Sequence, residues 1–142
     1  ELHGAFQTDR NLGTLWANTP GGVFGTLDDT GLADGCQALP VASRSQVKVG
    51  PAVIRSNVAG ETVREYDVEI VRVFPAGSHD TRDLMVKVTD PDLLAATGGI
   101  VQGMSGSPIL QDGRVVGAVT HVLVNDPTQG YGILMETMLA AA

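Results

Sequence analysis

Apolar and polar positions alternate along several short stretches of this chain, separated by clusters of Gly, Pro, Asp and Asn. The clearest alternation is "TVREYDVEIVRVF" (62–74), where Val63, Tyr66, Val68, Ile70 and Val73 show a partial period of two with a slip. Period two sends successive side chains to opposite faces of a strand, so the stretch predicts a half-buried strand and the slip a bulge. Ahead of it, Val47 and Val49 alternate with polar residues and "PAVIRSNV" (51–58) reads as another strand, with "AGE" (59–61) as the turn between them and the long one. "GVFGTL" (22–27) and "RDLMVKVTD" (82–90) read as further strands, the latter entered through the polar loop "PAGSHDT". Residues 1–20 show little periodicity and run into the turn cluster "NTPGG", and residues 28–40 read as a polar loop.

The pattern changes at "DPDLLAATGG" (90–99). Asp at the N-cap, Pro at the first helical position, an acid in the first turn and Gly at the far end predict one short helix. Beyond it, "SPILQDGRVVGAVTHVLV" predicts a hairpin turning on Asp112-Gly113, a pair suited to the type I′ turn and its positive φ angles. "NDPTQG" (125–130) reads as a loop, "YGIL" as a last strand and "METMLAA" as a terminal helix. The expectation is a mostly β chain forming one domain over 1–142, or part of one, long enough to bury a sizeable core.

Composition narrows the function classes. Nine Lys and Arg face sixteen Asp and Glu, for a net charge of −7. An acidic chain without basic clusters is a poor match for nucleic acid or for an anionic membrane surface. No apolar run reaches the length that spans a bilayer, and "ELHGAFQTDR" lacks the features of a signal peptide. Cys36 is the single cysteine, which rules out an internal disulfide; it reads as a buried bystander with no base beside it. The histidines and acids have no metal-ligand spacing, and no phosphate-cradling glycine loop occurs, so neither a metal nor a cofactor is expected.

The candidate chemistry lies in "GIVQGMSGSPILQDG" (99–113). A serine nucleophile needs a turn that exposes its hydroxyl and backbone N–H groups aimed at the developing oxyanion. Here Gly103 and Ser105 can supply the two N–H groups, and Gly106 leaves room behind the nucleophile. A serine in an ordinary tight turn has the same local look. The hairpin that follows, with Thr120 and His121 on its second strand, separates this loop from the α/β-hydrolase elbow, which needs a parallel sheet and a long helix after the serine. The surroundings favour a barrel-type serine protease.

The block "DPDLLAATGGIVQGMSGSPILQDGRVVGAVTHVLVNDPTQGYGI" (90–133) resembles the peptidase domain of the stage IV sporulation protein B family, the S55 serine peptidases that signal in endospore formation. "NTPGGVFGTL" (18–27) and "QALPVASRSQVKVGPAVI" (37–54) are also similar, so the resemblance covers nearly the whole chain. It implies a trypsin-like (chymotrypsin-type) antiparallel β-barrel with Ser105 as nucleophile and Asp90 as the acidic third member. Its general base is the histidine of a Gly-His motif upstream of "GVFGTL", and no Gly-His dipeptide occurs here. The expectation is that the base lies before residue 1, that the domain is N-terminally incomplete and that the chain alone is inactive or nearly so. The resemblance further implies a protein or peptide substrate that is a membrane-associated sporulation regulator. Its implied location is membrane-associated, or secreted into the space between the membranes of a sporulating bacterium.

Several residues have two readings. His3 and His79 read as solvated, near an end and in a polar loop; His121 reads as substrate-proximal, with a stand-in base or a plain strand residue as alternatives. Asp90 is explained by N-capping before any catalysis is invoked, and its two oxygens allow both roles. Asn125 reads as a turn residue first and as part of a substrate loop second. At the level of function, the alternative to a peptidase is a protease-like β-barrel module that binds a peptide along a sheet edge without cutting it.

Overall fold

The computed structural model describes residues 5, 8–78 and 81–142. Strands β1 (Gly13–Thr19) and β2 (Gly22–Leu27) form a separate antiparallel hairpin. Strands β3 (Gly50–Ser56), β4 (Arg64–Val73), β5 (Leu84–Val88), β6 (Pro108–Gln111), β7 (Arg114–Leu123) and β8 (Asp126–Leu134) close a six-stranded antiparallel barrel in the order β3-β4-β5-β8-β7-β6. Helix α1 (Pro91–Thr97) connects β5 to the serine loop, and α2 (Met135–Ala141) follows β8. Among the described residues no helix is long and apolar enough to cross a membrane.

Alternation builds the barrel wall as expected. In β4, Tyr66, Val68 and Ile70 are buried while Glu65, Asp67 and Glu69 face out. The slip is real: register shifts between Ile70 and Arg72, so Val71 is the extra residue of a bulge opposite β5. Leu84, Val86 and Val88 of β5 point inward beside Ile54, Ile109, Val116, Val119 and Leu134 to form one core. β3 and β6 close the cylinder through Val53↔Leu110 and Ile54↔Ile109, which removes the open edges a sheet would otherwise present.

Four expectations need correction. Residues 13–19 form β1 although little periodicity marks them, because their apolar residues face solvent on the hairpin and no inward face imposes a period. The region around Val47 and Val49 is not a strand: residues 44–46 make a 3-10 turn, and β3 starts at Gly50. Residues 126–130 belong to β8 and not to a loop. Asp126 Oδ1 accepts from the Thr128 N–H (3.1 Å) and hydroxyl, and Oδ2 from Gln129 Nε2 (2.6 Å), so a local turn motif is folded into the strand. Pro127 sits in the resulting bulge, where Val122 still pairs with Gly130 but Leu123 pairs with Asp126, and no ladder N–H is needed from it. Finally, Cys36 is exposed and not buried.

Candidate active site

Helix α1 delivers the chain to the serine loop. Asp90 Oδ1 accepts from the N–H groups of Asp92 (2.9 Å) and Leu93 (3.0 Å), which caps the helix as its sequence predicts. Gly98 ends it at φ 73°, in the left-handed conformation that glycine adopts at no steric cost. Ile100 N–H then donates to Pro127 O at 2.8 Å and pins the start of the loop to β8.

The loop itself is two successive β-turns. Met104 N–H donates to Val101 O (3.1 Å) and Ser107 N–H to Met104 O (3.0 Å). Gly103 (φ 101°) and Gly106 (φ 90°) occupy the third positions of the two turns, while Gln102 and Ser105 keep negative φ. That combination is the type II turn, which favours glycine at its third position. The glycines flanking Ser105 are therefore demanded by the backbone. Met104 is buried in the barrel core, so the loop is anchored by the residue before the serine and the serine itself faces out.

Strand β7 holds the other side. Gly106 N–H donates to Val119 O (2.8 Å) and Val119 N–H to Ser107 O (2.9 Å). Between Val119 and His121 the register against β8 shifts, leaving Thr120 as the bulged residue. Its carbonyl accepts the Ser105 hydroxyl at 3.0 Å. A bulge is a recurrent way to re-aim a group beside an active site. Neither the Gly103 N–H nor the Ser105 N–H has an acceptor among the described residues.

Ser105 opens into a cleft of about 380 Å³ bounded by residues 100–102 on one side and 120–122 on the other. Ser105, Thr120 and His121 are thus brought together, with His121 exposed at the cleft. Gly103 lies on the same pair of turns. Asp90 and Asn125 are not among the residues lining the cleft: Asn125 is exposed in the tight β7–β8 turn, and Asp90 faces β4. His3 and His79 lie outside the described residues. Among the described residues no group of three His, Cys, Asp or Glu comes together in a metal-binding arrangement.

Asp90 carries more than a helix cap. Its Oδ2 accepts the Asp67 N–H at 3.1 Å, tying α1 to β4. Partial burial pushes its carboxyl pKa upward, but the N–H donors of Asp67, Leu93 and Asp92, with the charge of Arg64, outweigh that and leave it lowered. A carboxylate offers about four acceptor sites and three are occupied, so one position on Oδ2 remains. The feature that residue patterns missed is the Thr120 carbonyl. Its one trace in the sequence is the broken alternation of "VGAV" (116–119), four consecutive buried residues leading into the bulge.

Comparison with known proteins places the chain in a family and supports its fold. The family model of the SpoIVB peptidase S55 matches residues 1–139. No curated protein matches the sequence. Among solved structures, the active form of the Rv3671c protease from M. tuberculosis is similar at a TM-score of 0.66 and 16% identity, covering 95% of this chain and 59% of that one. Its inactive form gives a TM-score of 0.62 and 18% identity, covering 94% of this chain and 67% of the other. At such identity the likeness shows the fold, a trypsin-like β-barrel, and the chain spans about three-fifths of the first structure's length.

Proposed function

As the chain belongs to the SpoIVB peptidase S55 family, we propose that it is the nucleophile-bearing part of a serine endopeptidase. Ser105 Oγ attacks the carbonyl carbon of a scissile peptide bond while its proton passes to a general base. The oxyanion takes hydrogen bonds from the N–H groups of Gly103 and Ser105. Collapse of the tetrahedral intermediate expels the amine, which takes a proton from the base, and leaves an acyl-serine that water hydrolyses. The observation that carries this reading is the pair of N–H groups without acceptors on the turns that present an exposed serine to a cleft.

The Ser105 hydroxyl rests on the Thr120 carbonyl at 3.0 Å, so it must leave that acceptor to act. The base is a histidine supplied by chain upstream of residue 1, with Asp90 as the third member through its remaining acceptor site. Without that histidine the rate falls by about 10³ or more. The family name supports a role in sporulation and a protein substrate. Our reading adds that the role is signalling, that the substrate is a membrane-associated regulator and that the site of action is a membrane or the space between the membranes of a sporulating cell.

A second reading rests on the same Ser105–Thr120 contact: a module that holds a peptide beside β7 without cutting it. Intact mass after exposure to a fluorophosphonate separates the two, measured on this chain and on the chain extended upstream. The peptidase reading expects one adduct on the extended chain, absent in Ser105→Ala. No adduct on either protein favours the binding module.

A further inference from the structure

The cleft beside Ser105 has a definite chemistry. Among the described residues its lining contains no Asp, Glu, Lys or Arg; beside the uncharged polar Gln102, Ser105 and Thr120, His121 at the exposed rim is the single ionisable side chain. The walls carry Val101 and Val122, and below them lies Ile100, which is 3% exposed.

Ile100 sits where it does because β8 has no side chain at Gly130. A Cβ at that position would lie 2.7 Å from Ile100 Cδ1 and 2.5 Å from the His121 carbonyl oxygen, so the glycine gives its space to the isoleucine tip. Gly99 makes the matching concession one residue earlier, since a Cβ there would overlap the Pro127 carbonyl. Together these two glycines let residues 99–102 lie close on β8, with the Ile100 side chain filling the gap. The floor is therefore apolar and shallow. A charged side chain reaching that floor would lose hydration with no Asp, Glu, Lys or Arg in the described lining to pair with it, while an aliphatic one gains burial against Ile100 and the two valines.

We propose that this cleft receives an uncharged aliphatic side chain of the substrate residue whose carbonyl Ser105 attacks, and that Ile100, seated over Gly130, sets how large that side chain can be. The proposal rests on the reading of Ser105 as nucleophile. It makes Ile100 a specificity-determining residue, and it assigns the peptidase a substrate class: peptide segments with Ala-, Val- or Leu-like residues before the cleaved bond.

A series of peptide boronates differing in one side chain, next to boron, tests this on the chain extended upstream. Val- and Leu-type boronates are expected to bind at least about tenfold more tightly than Lys- and Asp-type ones, the discrimination an apolar pocket affords. The mild variant Ile100→Val should raise the affinity for a Phe-type boronate relative to a Val-type one, and Ile100→Ala should raise it further if it folds. Equal or tighter binding of a charged boronate overturns the proposal, as does a Phe-to-Val ratio unchanged in Ile100→Val. Fluorophosphonate labelling of the same samples tells the two failures apart. If Ser105 labels but the boronates are not discriminated, the specificity assignment alone falls. If Ser105 neither labels nor forms a boronate adduct, the nucleophile reading falls and the specificity goes with it.

Discussion

The two ends of β6 are both glycine turns, four residues of strand apart, and they do different things. At the far end, Asp112 (φ 52°) and Gly113 (φ 74°) reverse the chain so that Gln111 pairs with Arg114. Gln111 then locks that end: Nε2 donates to the carbonyls of Lys48 (2.9 Å) and Pro51 (3.1 Å), and Oε1 accepts the Lys48 N–H (3.0 Å). At the near end, Gly103 and Gly106 also have positive φ, but their turns do not reverse one strand onto the next. They suspend Ser105 between a buried Met104 and the Gly106–Val119 hydrogen bond, with its hydroxyl at the bulged Thr120 carbonyl. Glycine with positive φ is common to both, so it marks a turn and not a site. What distinguishes the near end is what its turns carry and what they are anchored to.

Breaking the near end should separate chemistry from stability. Ser105→Ala is expected to abolish fluorophosphonate labelling of the upstream-extended protein. It should leave unfolding within about 0.5 kcal/mol of the parent, since the lost hydroxyl is exposed. Thermal unfolding and intact mass check both halves. Gly103→Ala should damage both properties, slowing labelling by about 10²-fold or more through a displaced oxyanion donor. Forcing Ala to φ 101° should also cost about 1–3 kcal/mol. Denaturant titration beside labelling kinetics resolves the two effects.

At the far end the same kind of substitution should touch stability alone. Gly113→Ala places a Cβ in open space, so only the left-handed backbone is penalised, by about 1 kcal/mol. Labelling kinetics should be unchanged; a slowed rate would mean the two ends of β6 are coupled and the contrast is wrong.

Asp90 sharpens the comparison from outside. Its folded-state pKa is lowered, so its capping contribution is complete above the ordinary carboxylate pKa and is lost as pH falls through the folded value. Stability should decline on that acid limb, and Asp90→Asn, which keeps a capping oxygen, should flatten it; Asp90→Ala should cost about 1 kcal/mol at neutral pH. Thermal unfolding against pH checks the sign. If Asp90 serves catalysis as well, Asp90→Asn will also slow labelling by more than its stability change explains.

Much of the site was legible in the chain because it is written in residue types that backbone geometry requires. Asp90, Pro91 and Gly98 bound α1 as their chemistry predicts, Asp112-Gly113 turns the hairpin, and the glycines around Ser105 fall at turn positions that need them. The barrel wall followed from alternation in β4 and β5, down to the bulge at Val71. Other features left weaker traces. Asp126 and Pro127 carry turn chemistry, and the structure uses it inside a strand, which residue identity alone does not distinguish from a loop. The β1–β2 hairpin exposes Leu15 (73%) and Trp16 (57%), so its strands bear no inward face for a pattern to record. The Thr120 carbonyl is a backbone atom, and where it points depends on a register shift between two strands distant from the serine in sequence.

The most direct test of the central claim is amide NMR of Gly103 and Ser105 in the upstream-extended protein, with and without an aliphatic peptide boronate. If Ser105 is the nucleophile and these N–H groups hold the oxyanion, the boron becomes tetrahedral and both amide protons move downfield together, while the Asp112 and Gly113 amides stay in place. A trigonal boron with unmoved Gly103 and Ser105 amides would contradict it, and would leave the near end of β6 as another well-anchored turn.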